Sequence, residues 1–207
     1  MNLRQSFLIV GGFVALLWLV FMVDGLLGLD LYRYGVYPRR IDGLAGVLFG
    51  PLIHSSFSHI FSNTLPILVL GIAVLHGYPR SSRFVIPIIY ILSGVGVWLF
   101  ARDSYHIGAS GLTFGFMFFV FTVGALRWDP RSIALSCLVF FLYGGMVWGI
   151  FPGEPGVSFE SHLFGAIVGI ACAVLFRRFD VPPPPRRYDW EDETDSDPLI
   201  GDEWRDS

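Results

Sequence analysis

Six long apolar runs constrain this chain more than any other feature of its sequence. They cover residues 6–29, 57–77, 84–101, 109–126, 132–150 and 159–176, each bounded by proline, glycine or charge. A helix needs about 20 apolar residues to cross a bilayer, and lipid accepts only helices or closed barrels as spanning elements. The runs lack the period-2 alternation of barrel strands. The sequence therefore predicts an all-α, polytopic membrane protein with a bundle of six transmembrane helices.

The first run has a competing interpretation as a cleaved signal peptide. It is uncharged from Phe7 to Val23, which is longer than a usual signal core, and no small-residue cleavage site precedes the next polar turn. We therefore expect it to remain as a helix. Composition agrees with a membrane protein, since 54% of the 207 residues are hydrophobic and only 15% are charged.

Arginine supplies all the positively charged side chains and predicts the orientation, because cytoplasmic loops carry an excess of basic residues. Six spans place both ends of the membrane domain on one side. With the N-terminus inside, inner segments hold seven arginines and outer loops four: Arg4, Arg80, Arg83, Arg127, Arg131, Arg177 and Arg178 against Arg33, Arg39, Arg40 and Arg102. We expect cytoplasmic N- and C-termini and a multi-pass protein of the cell membrane, with a bacterial plasma membrane as its location.

Two regions differ in composition. Residues 1–178 form the predicted membrane domain, whereas residues 179–207 contain Pro182 to Pro185 followed by mostly acidic and polar residues. Such a tail buries too little apolar surface to fold, so we predict a disordered cytoplasmic segment. It carries most of the net charge of -3, and no basic patch with interleaved aromatics suggests a nucleic-acid partner.

The segment His106 to Gly115 contains the most suggestive polar residue. Ser110 lies among Gly108, Ala109 and Gly111, small residues that let another backbone approach a nucleophilic hydroxyl closely. The competing interpretation is packing, because Gly111 and Gly115 also form the small-xxx-small pattern of touching helices.

Polar residues of other runs weigh against simple packing at Ser110. His59 and Asn63 lie near the start of the second run, Ser110 near the start of the fourth, and His162 near the start of the sixth. These three runs cross in the same direction, so all four side chains fall at similar depth below the outer face. Intramembrane polar groups are costly and indicate function by default. A shared site is therefore the favoured interpretation.

Spacing along the helices supports convergence of these side chains. His59 and Asn63 are four residues apart and share a helical face. Gly165 and Gly169 offer a smooth strip to the small residues after Ser110, and close approach of these helices would bring His162 to Ser110.

A metal site is the alternative use of these histidines. No His-Glu-x-x-His run exists, and the sequence suggests no carboxylate at that depth, so we predict neither metal nor cofactor. For His106, structural and chemical roles remain equally open, whereas His76 lies beside an inner loop and is expected to be interfacial.

Three motifs follow one another on three different helices. They are His54-x4-His59-x3-Asn63, Gly108-Ala-Ser-Gly111 and Ser161-His162-x2-Gly165-x3-Gly169. Together they resemble the rhomboid family of intramembrane serine proteases over about residues 7–176, which implies that family's six-helix core. The resemblance implies that Ser110 is the nucleophile and His162 the general base, with His59, Asn63 and the Ser110 amide as oxyanion donors. It further implies that His54 supports the first outer loop and that the ring of Phe114 stacks on the base. Gly108 and Gly111 are supporting residues. One departure is that the first outer loop lacks a Trp-Arg pair found in some bacterial members and has Arg39 and Arg40 instead.

The resemblance implies a particular mechanism and class of partner. Because no acidic third member was identified in the spans, we expect a Ser-His dyad whose imidazole is oriented by packing, with fixed donors for the oxyanion. Transmembrane protein segments that unwind easily, held in the lipid bilayer, are the expected substrates; the oligomeric state stays open. The alternative is a catalytically silent rhomboid-like protein that binds membrane helices. A solute transporter is disfavoured, since charged or broken helices at the midplane and internal repeats are missing from the sequence.

Overall fold

The computed structural model describes residues 1–153 and 156–183. Its α-helices are α1 Leu3–Leu27, α2 Gly46–Phe49, α3 Phe57–Gly77, α4 Ser82–Phe100, α5 Ser110–Arg127, α6 Pro130–Tyr143 and α7 Phe159–Phe176, and a 3-10 segment Gly144–Ile150 continues α6. Six of these elements are long and apolar enough to span a membrane, all except the short α2. The predicted six-helix, all-α membrane bundle is confirmed. Helix α1 starts three residues before the predicted run because Asn2 and Gln5 form a capping box there.

Helix α5 lies at the centre of the bundle. Its side chains Met117, Phe119, Val120 and Val123 are almost fully buried. Helices α3, α4, α6 and α7 surround it, while α1 packs on the outside of α3. The element that begins with Ser110 is therefore the most enclosed part of the molecule, which gives a functional group at its start a rigid support.

The contact between α5 and α7 is made through glycine. A Cβ atom on Gly165 would collide with the carbonyl oxygen of Gly111, and one on Gly169 would collide with that of Gly115. Only residues without a side chain allow the two backbones to approach this closely. The predicted glycine strip is thus confirmed as the surface along which α7 lies against α5.

The first outer loop, residues 28–56, is folded into short helical turns around α2. It is joined to the outer end of α4, where the Trp98 indole N–H donates to the Arg40 carbonyl at 2.8 Å and the Arg39 amide donates to the Trp98 carbonyl at 2.9 Å. A tryptophan is therefore hydrogen-bonded to the backbone of the loop arginines, but this tryptophan belongs to α4 and not to the loop itself.

The C-terminal end of α7 is also fixed by hydrogen bonds. The carboxylate of Asp180 accepts hydrogen bonds from the amides of Arg80 and Ser81, both at 2.8 Å, and Arg127 donates to the Asp180 carbonyl at 2.8 Å. The packed part of the chain thus continues two residues beyond Arg178. The predicted disorder of the remaining tail concerns residues 184–207, which lie outside the described residues, and stays a prediction.

Candidate active site

Ser110 is the first residue of α5 and follows a backbone turn that requires glycine. Gly108 has φ +103°, a region that side chains rarely adopt, and the Nε2 atom of His59 lies 2.5 Å from where a Cβ atom would stand. The Gly108 amide donates to the Gly50 carbonyl at 2.9 Å, which ties the turn to the first outer loop. The small residues before Ser110 are therefore required by the backbone conformation of this turn, and they also leave the hydroxyl accessible.

Ser110 and His162 are brought together as predicted from the motifs. The Nε2 atom of His162, in the first turns of α7, lies 2.9 Å from the Ser110 hydroxyl oxygen. The imidazole is 8% exposed, whereas Ser110 is partly accessible. This distance is within the range for transfer of the hydroxyl proton to the ring nitrogen.

The other ring nitrogen of His162 defines which tautomer is present. Its Nδ1 atom lies 2.9 Å from the carbonyl oxygen of Gly149, in the 3-10 segment that follows α6. A carbonyl can only accept, so Nδ1 carries the proton and Nε2 keeps the lone pair that faces Ser110. Sequence reasoning missed this contact, because a backbone carbonyl leaves no pattern in residue types.

Phe114, one helical turn after Ser110, stacks on the imidazole. The two ring centroids are 4.1 Å apart and the planes differ by 3°. A Cβ atom on Gly149 would lie 2.8 Å from Phe114 and 3.2 Å from Nδ1 of His162. The backbone of Gly149 therefore packs directly against the two stacked rings. The ring of His162 is held by stacking and by one carbonyl, in agreement with the expected orientation by packing.

His59 lies beside the turn of Gly108, and Asn63 follows it by one turn of α3. The Asn63 side-chain amide donates to the His59 carbonyl at 2.9 Å, within the same helix, and Nδ1 of His59 is 3.3 Å from the Ser55 hydroxyl. Within the described residues, neither side chain is hydrogen-bonded to Ser110. Their assignment as oxyanion donors stays a prediction.

His54 supports the turn that carries Ser110. Its Nε2 atom accepts the Ala109 N–H at 3.4 Å, and its ring contacts that of His59 with centroids 4.9 Å apart. Burial, together with the neighbouring His59, lowers the pKa of His54 to about 4. The ring is therefore neutral near pH 7 and can act as an acceptor for this amide.

Glu160 corrects one prediction from the sequence. The expectation that no carboxylate lies near this depth is wrong, since Glu160 in the first turn of α7 is only 6% exposed. Its Oε1 atom lies 3.6 Å from the Arg102 guanidinium. Because Glu160 and His162 are two residues apart on a helix, their side chains do not face each other. The carboxylate pairs instead with Arg102, in the segment between α4 and α5.

The side chains around the histidines are arranged as follows with respect to possible metal ligands. Among residues 1–153 and 156–183, no three His, Cys, Asp or Glu side chains are grouped as ligands. The potential ligand atoms His162 Nδ1 and His54 Nε2 are instead engaged with backbone groups.

Comparison with known proteins places these residues in a family. The family profile of the rhomboid domain matches residues 42–179. An uncharacterized protein of Mycobacterium tuberculosis is 42% identical over 184 residues, covering 81% of this chain and 75% of that protein. One from Mycobacterium leprae is 36% identical over 177 residues, covering 79% and 68%. RHOMBOID-like protein 2 of Arabidopsis thaliana is 26% identical over 148 residues, covering 67% and 42%. Because the matched region spans most of the chain and contains both Ser110 and His162, this protein belongs to the rhomboid family.

Proposed function

We propose that this protein is an intramembrane serine endopeptidase that cleaves transmembrane segments of other membrane proteins. The observation that carries the proposal is the arrangement of Ser110, His162 and the Gly149 carbonyl. The hydroxyl faces an unprotonated imidazole nitrogen whose tautomer is held by a backbone acceptor. A serine without such a base is a weak nucleophile, and a serine that only packs two helices together has no need of one.

The reaction follows from these positions. Nε2 of His162 takes the hydroxyl proton as Ser110 Oγ bonds to the carbonyl carbon of the scissile peptide, and the carbonyl electrons move to oxygen. The proton then passes from His162 to the leaving amine as the C–N bond breaks, and water releases the acyl group by the same steps. The Ser110 amide lies at the start of α5, where N–H groups lack intrahelical partners, and can donate to the oxyanion with Asn63 and His59.

The substrate class follows from the site's surroundings. Apolar helices enclose Ser110, and the loops beside it belong to the face we assign as outer from the arginine distribution. A helical substrate hides its carbonyls in hydrogen bonds, so local unwinding must precede attack, and segments with glycine or proline near the cut are favoured. The protein is expected in the plasma membrane of a bacterium with both termini in the cytoplasm.

A catalytically silent rhomboid-like protein that binds membrane helices is the second candidate. The mycobacterial relatives are uncharacterized proteins and favour neither candidate. The hydrogen-bonded Ser110 and His162 favour the enzyme, since a silent binder has no use for this pair.

The decisive experiment labels the purified protein with a fluorophosphonate and follows cleavage of a reporter transmembrane substrate. Wild type should be labelled and should cleave, whereas Ser110→Ala should do neither while remaining folded. Ser93→Ala is the matched control, because Ser93 is a buried helical serine that donates to the Ile89 carbonyl at 2.6 Å. Equal cleavage by wild type and Ser110→Ala would refute the assignment, and an inert wild type would favour the silent binder.

A further inference from the structure

The segment between α4 and α5, residues 101–109, lies against the start of α7 through His106. This histidine is 3% exposed, and both its ring nitrogens have partners. Nδ1 is 2.6 Å from the Ser158 hydroxyl, and Nε2 is 3.0 Å from the Arg102 carbonyl. The backbone of His106 also pairs with Val36 in the first outer loop. The residue therefore joins the nucleophile's turn to the helix that carries the base.

The hydrogen bonds of His106 have a defined direction. The Arg102 carbonyl can only accept, so Nε2 carries the proton and Nδ1 accepts from the Ser158 hydroxyl. The Ser158 oxygen in turn accepts from the Ser161 amide at 3.3 Å and from its hydroxyl at 2.8 Å. Burial lowers the pKa of His106, and the Arg102 carbonyl and Glu160 offset part of this effect. The lowered pKa favours the neutral ring that this series of hydrogen bonds requires.

Ser161, at the other end of this series of hydrogen bonds, lies next to both members of the proposed dyad. Ser161 directly precedes His162, and its carbonyl oxygen is 3.1 Å from where a Cβ atom on Gly111 would lie. Gly111 directly follows Ser110. The turn from Ser158 to Ser161 thus packs next to Ser110 and also begins α7, the helix that carries His162. The position of this turn therefore determines the distance between the Ser110 and His162 side chains.

We propose that His106 is a positioning residue that fixes the distance between Ser110 and His162 through Ser158. The inference rests on the proposed protease function. His106 does not touch the reacting atoms, and it acts by holding the first turn of α7 against the turn of Gly108. A purely structural histidine would contribute to stability alone, whereas this role predicts a change in the chemical step of the folded protein.

The test measures the rate constant of fluorophosphonate labelling and the kcat and KM for a reporter transmembrane substrate. His106→Phe keeps a ring but removes both hydrogen bonds, and Ser158→Ala is the smaller change in case the first variant folds poorly. Each should lower the labelling rate and kcat about 10- to 100-fold with little change in KM, as expected for a small displacement of reacting groups.

Three further variants sharpen the interpretation. The double variant should lose no more than the more severe single variant, because both remove one connection. Ser158→Thr keeps the hydroxyl and should retain activity. Ser104→Ala, in the same loop, should behave as wild type.

Each contrary outcome has a distinct meaning. Normal labelling and kcat in folded His106→Phe, with only a lower Tm, would overturn this inference and leave the protease assignment intact. Losses that multiply in the double variant would show that His106 and Ser158 act independently, which also contradicts it. A wild-type protein that is neither labelled nor active would refute both proposals.

Discussion

At the scale of single residues, Asn63 separates catalysis from structure most sharply. Its amide donates to the His59 carbonyl. The second N–H of the amide is then available to the proposed oxyanion, which would exist only during the reaction. Asn63→Ala should therefore lower kcat by about 10²–10³ and change KM little, as for loss of one oxyanion donor. Kinetics and thermal unfolding on the same preparation would measure both effects.

Ser62 provides the matched control for Asn63. Its hydroxyl donates to the same His59 carbonyl, also at 2.9 Å. Ser62→Ala removes a comparable helix-internal hydrogen bond, so its turnover should remain close to wild type. If the two variants lost stability alike and both kept normal kcat, Asn63 would be excluded from the oxyanion site.

At the scale of helices, the crossing of α5 and α7 controls the reaction distance. Gly165→Ala would drive a methyl group into the Gly111 carbonyl and push apart the helices that hold Ser110 and His162. We expect the free energy of unfolding to fall by about 1–3 kcal/mol, as is typical of overpacking. We expect kcat to fall by a larger fraction than the free energy of unfolding. Differential scanning fluorimetry and cleavage assays would measure these two losses.

Gly12→Ala in α1 is the control for a glycine in a membrane helix. Apart from the adjoining residues of α1, no atom of residues 1–153 or 156–183 lies within 4 Å of the added Cβ there, so this change should leave stability and activity unchanged or slightly improved. Wild-type kcat in Gly165→Ala would mean that α7 can shift without moving His162.

The helices were predictable because lipid imposes a long apolar run on every spanning segment. Residues 57–77 and 159–176 in particular match α3 and α7 at both ends. The meeting of Ser110 and His162 was also predictable, since both residues fall at similar depth and Gly165 and Gly169 allow their helices to approach closely. The Gly149 carbonyl was not, because main-chain groups are the same in every residue. Glu160 was overlooked although it lies in the sixth run, two residues before His162. Its burial against Arg102 was not predictable, because the two residues are 58 positions apart in sequence.

At the scale of the whole molecule, orientation across the membrane decides on which side the proposed cleavage occurs. With Cys137 and Cys172 replaced by alanine, Gly153→Cys should react with an impermeant maleimide added outside intact cells. Arg80→Cys should react only after the cells are permeabilised, because the arginine distribution places it inside. Arg80 is exposed in the fold, so protection could not be attributed to burial. The reverse labelling pattern would place Ser110 near the inner face.

The contacts of α7 also determine when the proposed enzyme can first act during its synthesis. Asp180 bonds to amides 99 and 100 residues earlier in the chain, and Ser110 and His162 are 52 residues apart. A ribosome that has completed α6 has therefore produced the serine but not its base. Such a nascent chain holds five membrane helices and no dyad. The proposed protease would therefore be unable to cleave neighbouring membrane proteins until α7 has been inserted and has packed along α5.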